Sequence, residues 1–378
     1  MNKEAVNQKE KRAEKTGKAL FEQKNWRLAW LRYLREHAWQ GGHSRIEQEQ
    51  ILCEDLEKYH RDLLTKKSME YWRRDFRFCY DFFGADLETD YFGNAMIGRN
   101  LFYKRKIVTD RKNMFATDYL ISPDVKSLCR DKVKSAVVWA DWYKRRWCTS
   151  TPKTPVNAET LRWVSNGKCS VIVKPPASFG GKGVEVYDIS TDELLQSAVE
   201  AIQGRKWIIE ERIVQTGLLH DLNPSSVNSL RIITGMHSDG RLELMCAYLR
   251  LGHAGAITDN FSAGGLAHTV DIDNGTIHFG TDGHGNHHYI HPDTGVQVAG
   301  LRVPQWEEAV EFCFAAHRHA PKGLVFAGWD VCISDDGLSL IEVNTCPGFN
   351  PIIKNSHDYW GSLKTLLEEA DKERRKRL

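Results

Sequence analysis

Two hydrophobic patterns divide the chain. Through about residue 80, apolar positions recur at three- and four-residue spacing, as at Leu28, Leu31 and Leu34 and again at Ile51, Leu52 and Leu56, with no proline and many Lys, Arg and Glu between them. That spacing predicts helices. Trp72, Phe76, Phe78, Tyr80, Phe82 and Phe83 close this stretch, and aromatics at such density are expected to build a core. After about residue 165 the pattern turns to short β-branched runs, Val171–Val173, Val184–Val186, Trp207–Ile209 and Leu230–Ile233, set apart by Gly, Asn and Asp. Three helices are expected there. One runs from about Thr191 to Ile202 with Thr191 as its N-cap, one spans Pro304 to His319, and the last starts near Asp358.

The segment Phe326 to Asn344 reads as a β-hairpin turning at Asp335, Asp336 and Gly337. A three-residue loop sets Ser334 opposite Leu338 and, four steps back, Asp330 opposite Glu342. Side chains alternate along a strand, so Asn344 shares a face with Glu342. Two carboxylates and an amide then converge. Hard oxygen donors in this number suit Mg²⁺, whereas the same residues on an exposed face would merely be solvated.

Upstream, Val171 to Val186 carries Lys174, Lys182 and three glycines in the loop Pro175–Gly183. Small residues let backbone N–H groups approach phosphate oxygens. A Walker loop needs Gly-Lys-Ser/Thr and a following helix, but here Gly183 and another strand follow, so the loop is the tip of a hairpin. Trp207–Val214 is a strand that ends in Glu210 and Glu211.

Composition narrows the partners. Among 378 residues, Lys+Arg 52 nearly balance Asp+Glu 50, so no strong field selects nucleic acid or an anionic membrane. No stretch reaches the roughly 18 apolar residues of a membrane span. The nine cysteines lack a C-x-x-C pair and the start lacks a signal-peptide core, so a cytoplasmic chain with free thiols is expected. His278, His284, His287, His288 and His291 crowd one Gly-rich segment without zinc-ligand spacing, and a solvated loop near the substrate entrance is expected. Cys346, with no recognisable activating His, is read as packing rather than as a nucleophile.

The order of these pieces resembles the ATP-grasp superfamily: Asp131-Lys132, a strand with Lys174-Pro175 and a Gly-rich flap, a strand ending in Glu-Glu, an Asp-bearing strand, then Glu342-Val-Asn344-x-x-Pro347-Gly348. The likeness spans about Ser122 to Asn355. Val227–Arg231, Asp259–Gly265 and the Tyr91-Phe92 region resemble, more narrowly, its sugar-transfer-associated group. The resemblance implies an α+β fold, two lobes gripping ATP, preceded by a mainly helical region. The expected divisions are 1–120 helical, 121–206 the small lobe with the flap, and 207–378 the large lobe with the metal site and C-terminal helix.

By the same resemblance Lys132 and Lys174 would contact phosphates, and the flap residues Ser178, Gly180, Gly181, Lys182 and Gly183 would close over them. Adenine would lie near Glu210, Glu211 and Ile213. Asp330, Glu342 and Asn344 would hold Mg²⁺, two ions being usual, and Arg231 with Arg250 would face the reacting phosphate. The implied chemistry is an ADP-forming carboxylate–amine ligase working through an acyl phosphate, on a sugar acid, amino acid or peptide in polysaccharide or natural-product biosynthesis. Phosphoryl transfer to a hydroxyl, or a non-catalytic nucleotide-binding module, would use the same cleft. Its partners would be small molecules, with no nucleic acid and no membrane insertion, and the oligomeric state stays open. Two features depart from the superfamily. Some members carry an arginine two residues before the metal-binding Asp, where this chain has Gly328, which makes Arg231 the candidate for that duty. The N-terminal region also lacks the strand–Gly–helix alternation that ordinarily precedes the fold.

Overall fold

The computed structural model describes residues 19–36, 44–177, 183–261, 264–335, 337–348 and 358–377. The flap residues Ser178, Gly180, Gly181 and Lys182 therefore lie outside the described residues.

Among the described residues every element before Trp147 is a helix, as the spacing predicts to about residue 80, but the buried faces are partly different. In Arg45–Tyr59, Leu52 and Leu56 are fully buried. In Trp26–Glu36, Leu28 and Leu31 are exposed, and Trp26, Ala29 and Tyr33 point inward instead. Trp26 and Trp30 pack against Trp360 of the C-terminal helix Tyr359–Lys376 at 6.0 and 6.2 Å. The large aromatic surfaces decide which way this helix faces, because each buries more area than a leucine. The aromatic stretch splits in the same way. Trp72, Phe76 and Tyr80 join a core with Tyr91 and Phe92, while Phe78 and Phe82 remain exposed.

Two antiparallel sheets follow. The smaller has the order β1-β4-β2-β3, with β1 Trp147–Ser150, β2 Ser170–Lys174, β3 Glu185–Asp188 and β4 Trp207–Glu211. The helix Asp192–Ile202, capped by Thr191 as its sequence predicts, shares its core with Leu161, Val171 and Ile209. β4 pairs with β1 and β2, so residues 207–211 belong to this sheet rather than to the segment after 206.

The larger sheet has the order β11-β10-β5-β6-β7-β8-β9, formed by β5 Ser229–Met236, β6 Leu242–Leu251, β7 Leu266–Val270, β8 Ile277–Thr281, β9 His287–His288, β10 Phe326–Ser334 and β11 Gly337–Asn344. The helix Trp306–His319 covers one face. There His317 bonds Thr234 at 2.7 Å, Trp329 donates to Thr234 at 2.8 Å, and Trp329 stacks edge-on to Trp139. Since β10 alternates, Gly328 and Asp330 must occupy the opposite face, where Leu366 of the C-terminal helix packs beside Gly235 at the far end. All nine cysteines are unpaired, and among the described residues no helix is long and apolar enough to cross a membrane.

Candidate functional site

On this face of the large sheet the site is built around Asp330. β5 places Arg231 opposite it on one side, and β11 places Glu342 opposite it on the other. The hairpin reaches that register by a different path from the expected one. Ser334 pairs with Gly337, not Leu338, because Gly337 takes a φ of +105° and tightens the turn by one residue. A bulge at Ile341 restores the lost residue, so Asp330 still meets Glu342 and Asn344 meets Gly328.

The bulge is held by a residue that the sequence reading missed. Arg145, buried beside β1, donates to the Leu340 carbonyl at 2.5 Å and to the Ile341 carbonyl at 3.2 Å. It also donates to Glu210 Oε2 at 2.9 Å, and Lys174 Nζ reaches the same oxygen at 2.9 Å. Burial pushes the Glu210 carboxyl up, but Arg145 and Lys174 outweigh it and hold it down at about 2. Burial lowers Lys174 despite that neighbour.

Asp330 is 3% exposed and its charge is already answered. Arg231 makes a two-pronged bond to it, and Arg250 adds a third contact at 2.8 Å. Asn344 Nδ2 lies 3.3 Å from Asp330 Oδ2. Burial alone would raise the carboxyl, yet the two guanidiniums hold it below its ordinary value. Arg250 in turn is shared with Ser229 at 2.7 Å and Asp259 at 3.6 Å. Glu342 is less enclosed and has Lys132 Nζ 3.8 Å away.

Gly328 has a local cause. A Cβ there would sit 2.5 Å from Pro347 Cβ and 2.9 Å from Arg231 Cδ. The Arg231 side chain lies over the very backbone from which an arginine at position 328 would start.

The two sheets enclose a cleft of about 1140 Å³. Its lining includes Lys132, Lys174, Glu210, Glu211, Ile213, Arg231, Arg250, Asp330, Glu342 and Asn344, all singled out from sequence. Ile172, Val184, Val186 and Ile341 add an apolar end beside Ile213. Gly183 is described, with φ +75°, but does not line the cleft. The Glu211 side chain is occupied by Lys168 at 2.7 Å and Asn166 at 3.1 Å, and its backbone N–H donates to the Arg146 carbonyl at 2.9 Å. Beyond Arg145, the sequence reading also missed Asp110 and Lys168, which line the cleft together with Asp259, named only as part of a motif and given no role. Their only signal is spatial, since they come from helix starts and loops far apart in sequence.

The His-rich segment is not a loop at the cleft entrance. It forms β8 and β9 and packs on the helical region, where His60 bonds the His284 carbonyl at 2.7 Å and Tyr59 stacks on His284 at 4.5 Å. Among the described residues no group of three His, Cys, Asp or Glu is arranged to hold a metal. Cys346 lines the cleft beside Gly348.

Two facing antiparallel sheets, with Lys174 on the smaller, Lys132 on a helix beside it and an Asp–Glu–Asn set on the larger, define an ATP-grasp fold. Residues 156–366, more than half of the chain, match the family model described as sugar-transfer associated ATP-grasp, and the chain belongs to that family. Among curated proteins no sequence match was found. Similar solved structures include a D-alanine–D-alanine ligase from Bacillus anthracis, with 16% identity, 69% of this chain and 73% of that one covered, and a TM-score of 0.42. D-alanyl-alanine synthetase A from Vibrio cholerae O1 biovar eltor str. N16961 gives 14% identity, 70% and 71% coverage, and a TM-score of 0.43.

Proposed function

We propose that the protein is an ADP-forming carboxylate–amine ligase that joins a sugar acid, amino acid or peptide to an amine through an acyl phosphate. The observation that carries this reading is the convergence of Lys132 and Lys174 with Arg231 and Arg250 across one cleft beside Asp330, Glu342 and Asn344. Cations on both walls suit a triphosphate between them. The β-branched end around Ile172, Val186, Ile213 and Ile341 suits a flat adenine ring, whose edge the backbone of Glu211 to Ile213 would read.

The donor chemistry also fits Mg²⁺. Glu342 and Asn344 offer hard oxygens facing the cleft, and Asp330 Oδ1, bonded by one Arg231 donor, keeps a lone pair. Bound there, Mg²⁺ would neutralise phosphate charge. The chain's own contribution is positional. Lys132 and Lys174 hold the phosphates, while Arg231 and Arg250, fixed by Asp330, present donors where charge develops. The substrate carboxylate oxygen attacks the γ-phosphorus and the bond to ADP breaks. The amine nitrogen then attacks the acyl carbon, the C–O bond breaks, phosphate leaves with the electron pair, and the amine gives up a proton.

A coupled ADP-release assay, screening carboxylates against amines at saturating Mg²⁺, tests this. ADP and phosphate are expected only when both substrates are present. Release of AMP and pyrophosphate, or a stable phosphoester seen by phosphorus NMR, would sink the ligase reading.

A further inference from the structure

The cleft continues past the residues assigned above to the start of the helix Asp110–Leu120, where Asp110, Cys346 and Gly348 complete its wall. Its volume of about 1140 Å³ exceeds the roughly 300–1,000 Å³ usual for one small ligand, which leaves room for a second reactant.

Six carboxylates line this cleft, and five of them face a cation of the protein. Glu210 has Lys174 at 2.9 Å, Glu211 has Lys168 at 2.7 Å, Asp259 has Arg250 at 3.6 Å, Asp330 has Arg250 at 2.8 Å, and Glu342 has Lys132 at 3.8 Å. Asp110 is the sixth. Among the described residues no ion pair or hydrogen bond to its carboxylate is found. Burial and the nearby Asp86 charge both push its carboxyl up from the ordinary range. The neighbouring acids do not share this condition. Asp90 accepts from the backbone of Asp86 at 2.8 Å and of Asp110 at 3.1 Å and from Asn94 at 3.0 Å, and Asp86 caps Thr89 at 2.8 Å. Asp110 is half-buried at the cleft wall, and a carboxylate placed there with no cation of the protein beside it is open to a cationic ligand that supplies the counter-charge.

The helix is fixed relative to the reacting centre. Asn113 donates to the Pro347 carbonyl at 2.7 Å and Thr117 to the Thr345 carbonyl at 2.9 Å, directly after Asn344. Tyr248 holds the Gly348 carbonyl at 2.8 Å from the other side. Asp110 therefore sits on the same rigid rim as the residues assigned to the phosphate and metal.

We infer that Asp110 forms the anionic end of a second-substrate subsite, which receives the ammonium group of the acceptor amine. The word acceptor rests on the ligase reading above, whereas the ammonium site rests on the cleft. The helical N-terminal region then supplies the specificity of the acceptor.

The test titrates the full chain with glucosamine and ethanolamine against their hydroxyl counterparts glucose and ethylene glycol, followed by saturation-transfer NMR, with and without Mg²⁺-ATP. The wild type is expected to prefer each ammonium by about ten-fold or more, the scale of a charge-assisted hydrogen bond. Asp110→Asn should abolish that preference, and Asp110→Glu should retain part of it. Asp110→Ser is measured alongside, so that the loss is judged on whichever uncharged variant keeps the wild-type melting midpoint. No preference in the wild type, or a preference that survives removal of the charge, overturns the proposal. Absence of Mg²⁺-ATP binding would sink the nucleotide reading separately, because the ammonium preference is also measured without nucleotide.

Discussion

Arg145 donates through Nε to Glu210 Oε2 at 2.9 Å, and its other nitrogens reach the Leu340 and Ile341 carbonyls. One guanidinium thus ties the small sheet, through the partner of Lys174, to the bulge that sets Glu342 and Asn344 in register. Lysine cannot copy this, since it lacks the planar fork that serves several acceptors at once.

Replacing Arg145 by methionine should therefore be strongly destabilising. It would leave Glu210 with Lys174 alone and two carbonyls at the bulge without donors, and breaking a buried pair from one side costs about 3–5 kcal/mol. Chemical denaturation would measure this. Arg145→Lys should be milder in stability, yet raise the KM for ATP and lower kcat together, because both walls of the cleft shift. A variant with wild-type stability and kinetics would show that the contact is incidental.

Glu210 gives the molecule an acid-sensitive element. Its carboxyl is held at about 2 in the folded chain against an ordinary 4.5. A depressed carboxyl contributes stability that is fully present above 4.5 and disappears as the pH falls toward 2, an amount of roughly 3 kcal/mol. Denaturation of the wild type and Glu210→Gln at stepped pH should show the difference between them shrinking across that window. A difference that stays constant from pH 5 to pH 2 would contradict the assignment.

The sequence made the large-sheet site legible because its parts lie close together in the chain. Asp330, Glu342 and Asn344 follow from strand alternation across one hairpin, and even an error in the turn was cancelled by the bulge at Ile341. The Thr191 cap and the helix start near Asp358 were legible for the same local reason. What could not be read was pairing between distant segments. Nothing in the sequence says that Arg231 will lie across Gly328, that Arg145 will reach Ile341, or that Asp110 will meet the rim formed by Cys346 and Gly348. The Trp26–Glu36 helix failed in another way, as its leucine spacing was outweighed by tryptophans that pack on a helix more than 300 residues away.

The Asp330 contacts change how the metal reading should be tested. Asp330→Ala would strand Arg231 and Arg250 in the interior, so loss of activity would report instability as much as lost metal. Glu342→Gln is the cleaner variant, since Glu342 is partly exposed and its ion pair among the described residues is the long one to Lys132 at 3.8 Å. Its melting midpoint should stay close to wild type while the Mg²⁺ concentration needed for half-maximal ATP turnover rises at least ten-fold. Unchanged Mg²⁺ dependence would remove Glu342 from the metal set.

Gly328 offers a test of the proposal that Arg231 on β5 takes the duty of the arginine absent there. A methyl group at this position meets Pro347 Cβ at 2.5 Å and Arg231 Cδ at 2.9 Å, closer than such atoms can approach. Proline cannot bend away without moving Gly348, whose carbonyl Tyr248 holds at 2.8 Å. Gly328→Ala should then cost about 1–3 kcal/mol by overpacking. Because the displaced Arg231 would leave Asp330, kcat should fall more than the KM for ATP rises. Gly328→Arg should not restore the superfamily arrangement, since its Cβ meets the same atoms. Pairing it with Arg231→Ala removes one of the two obstacles, and partial recovery of kcat in that double variant relative to Arg231→Ala alone is the expected result. If Gly328→Ala were as stable and active as the wild type, Arg231 would not depend on the absent side chain, and its claim to the duty of the missing arginine would lose its structural basis.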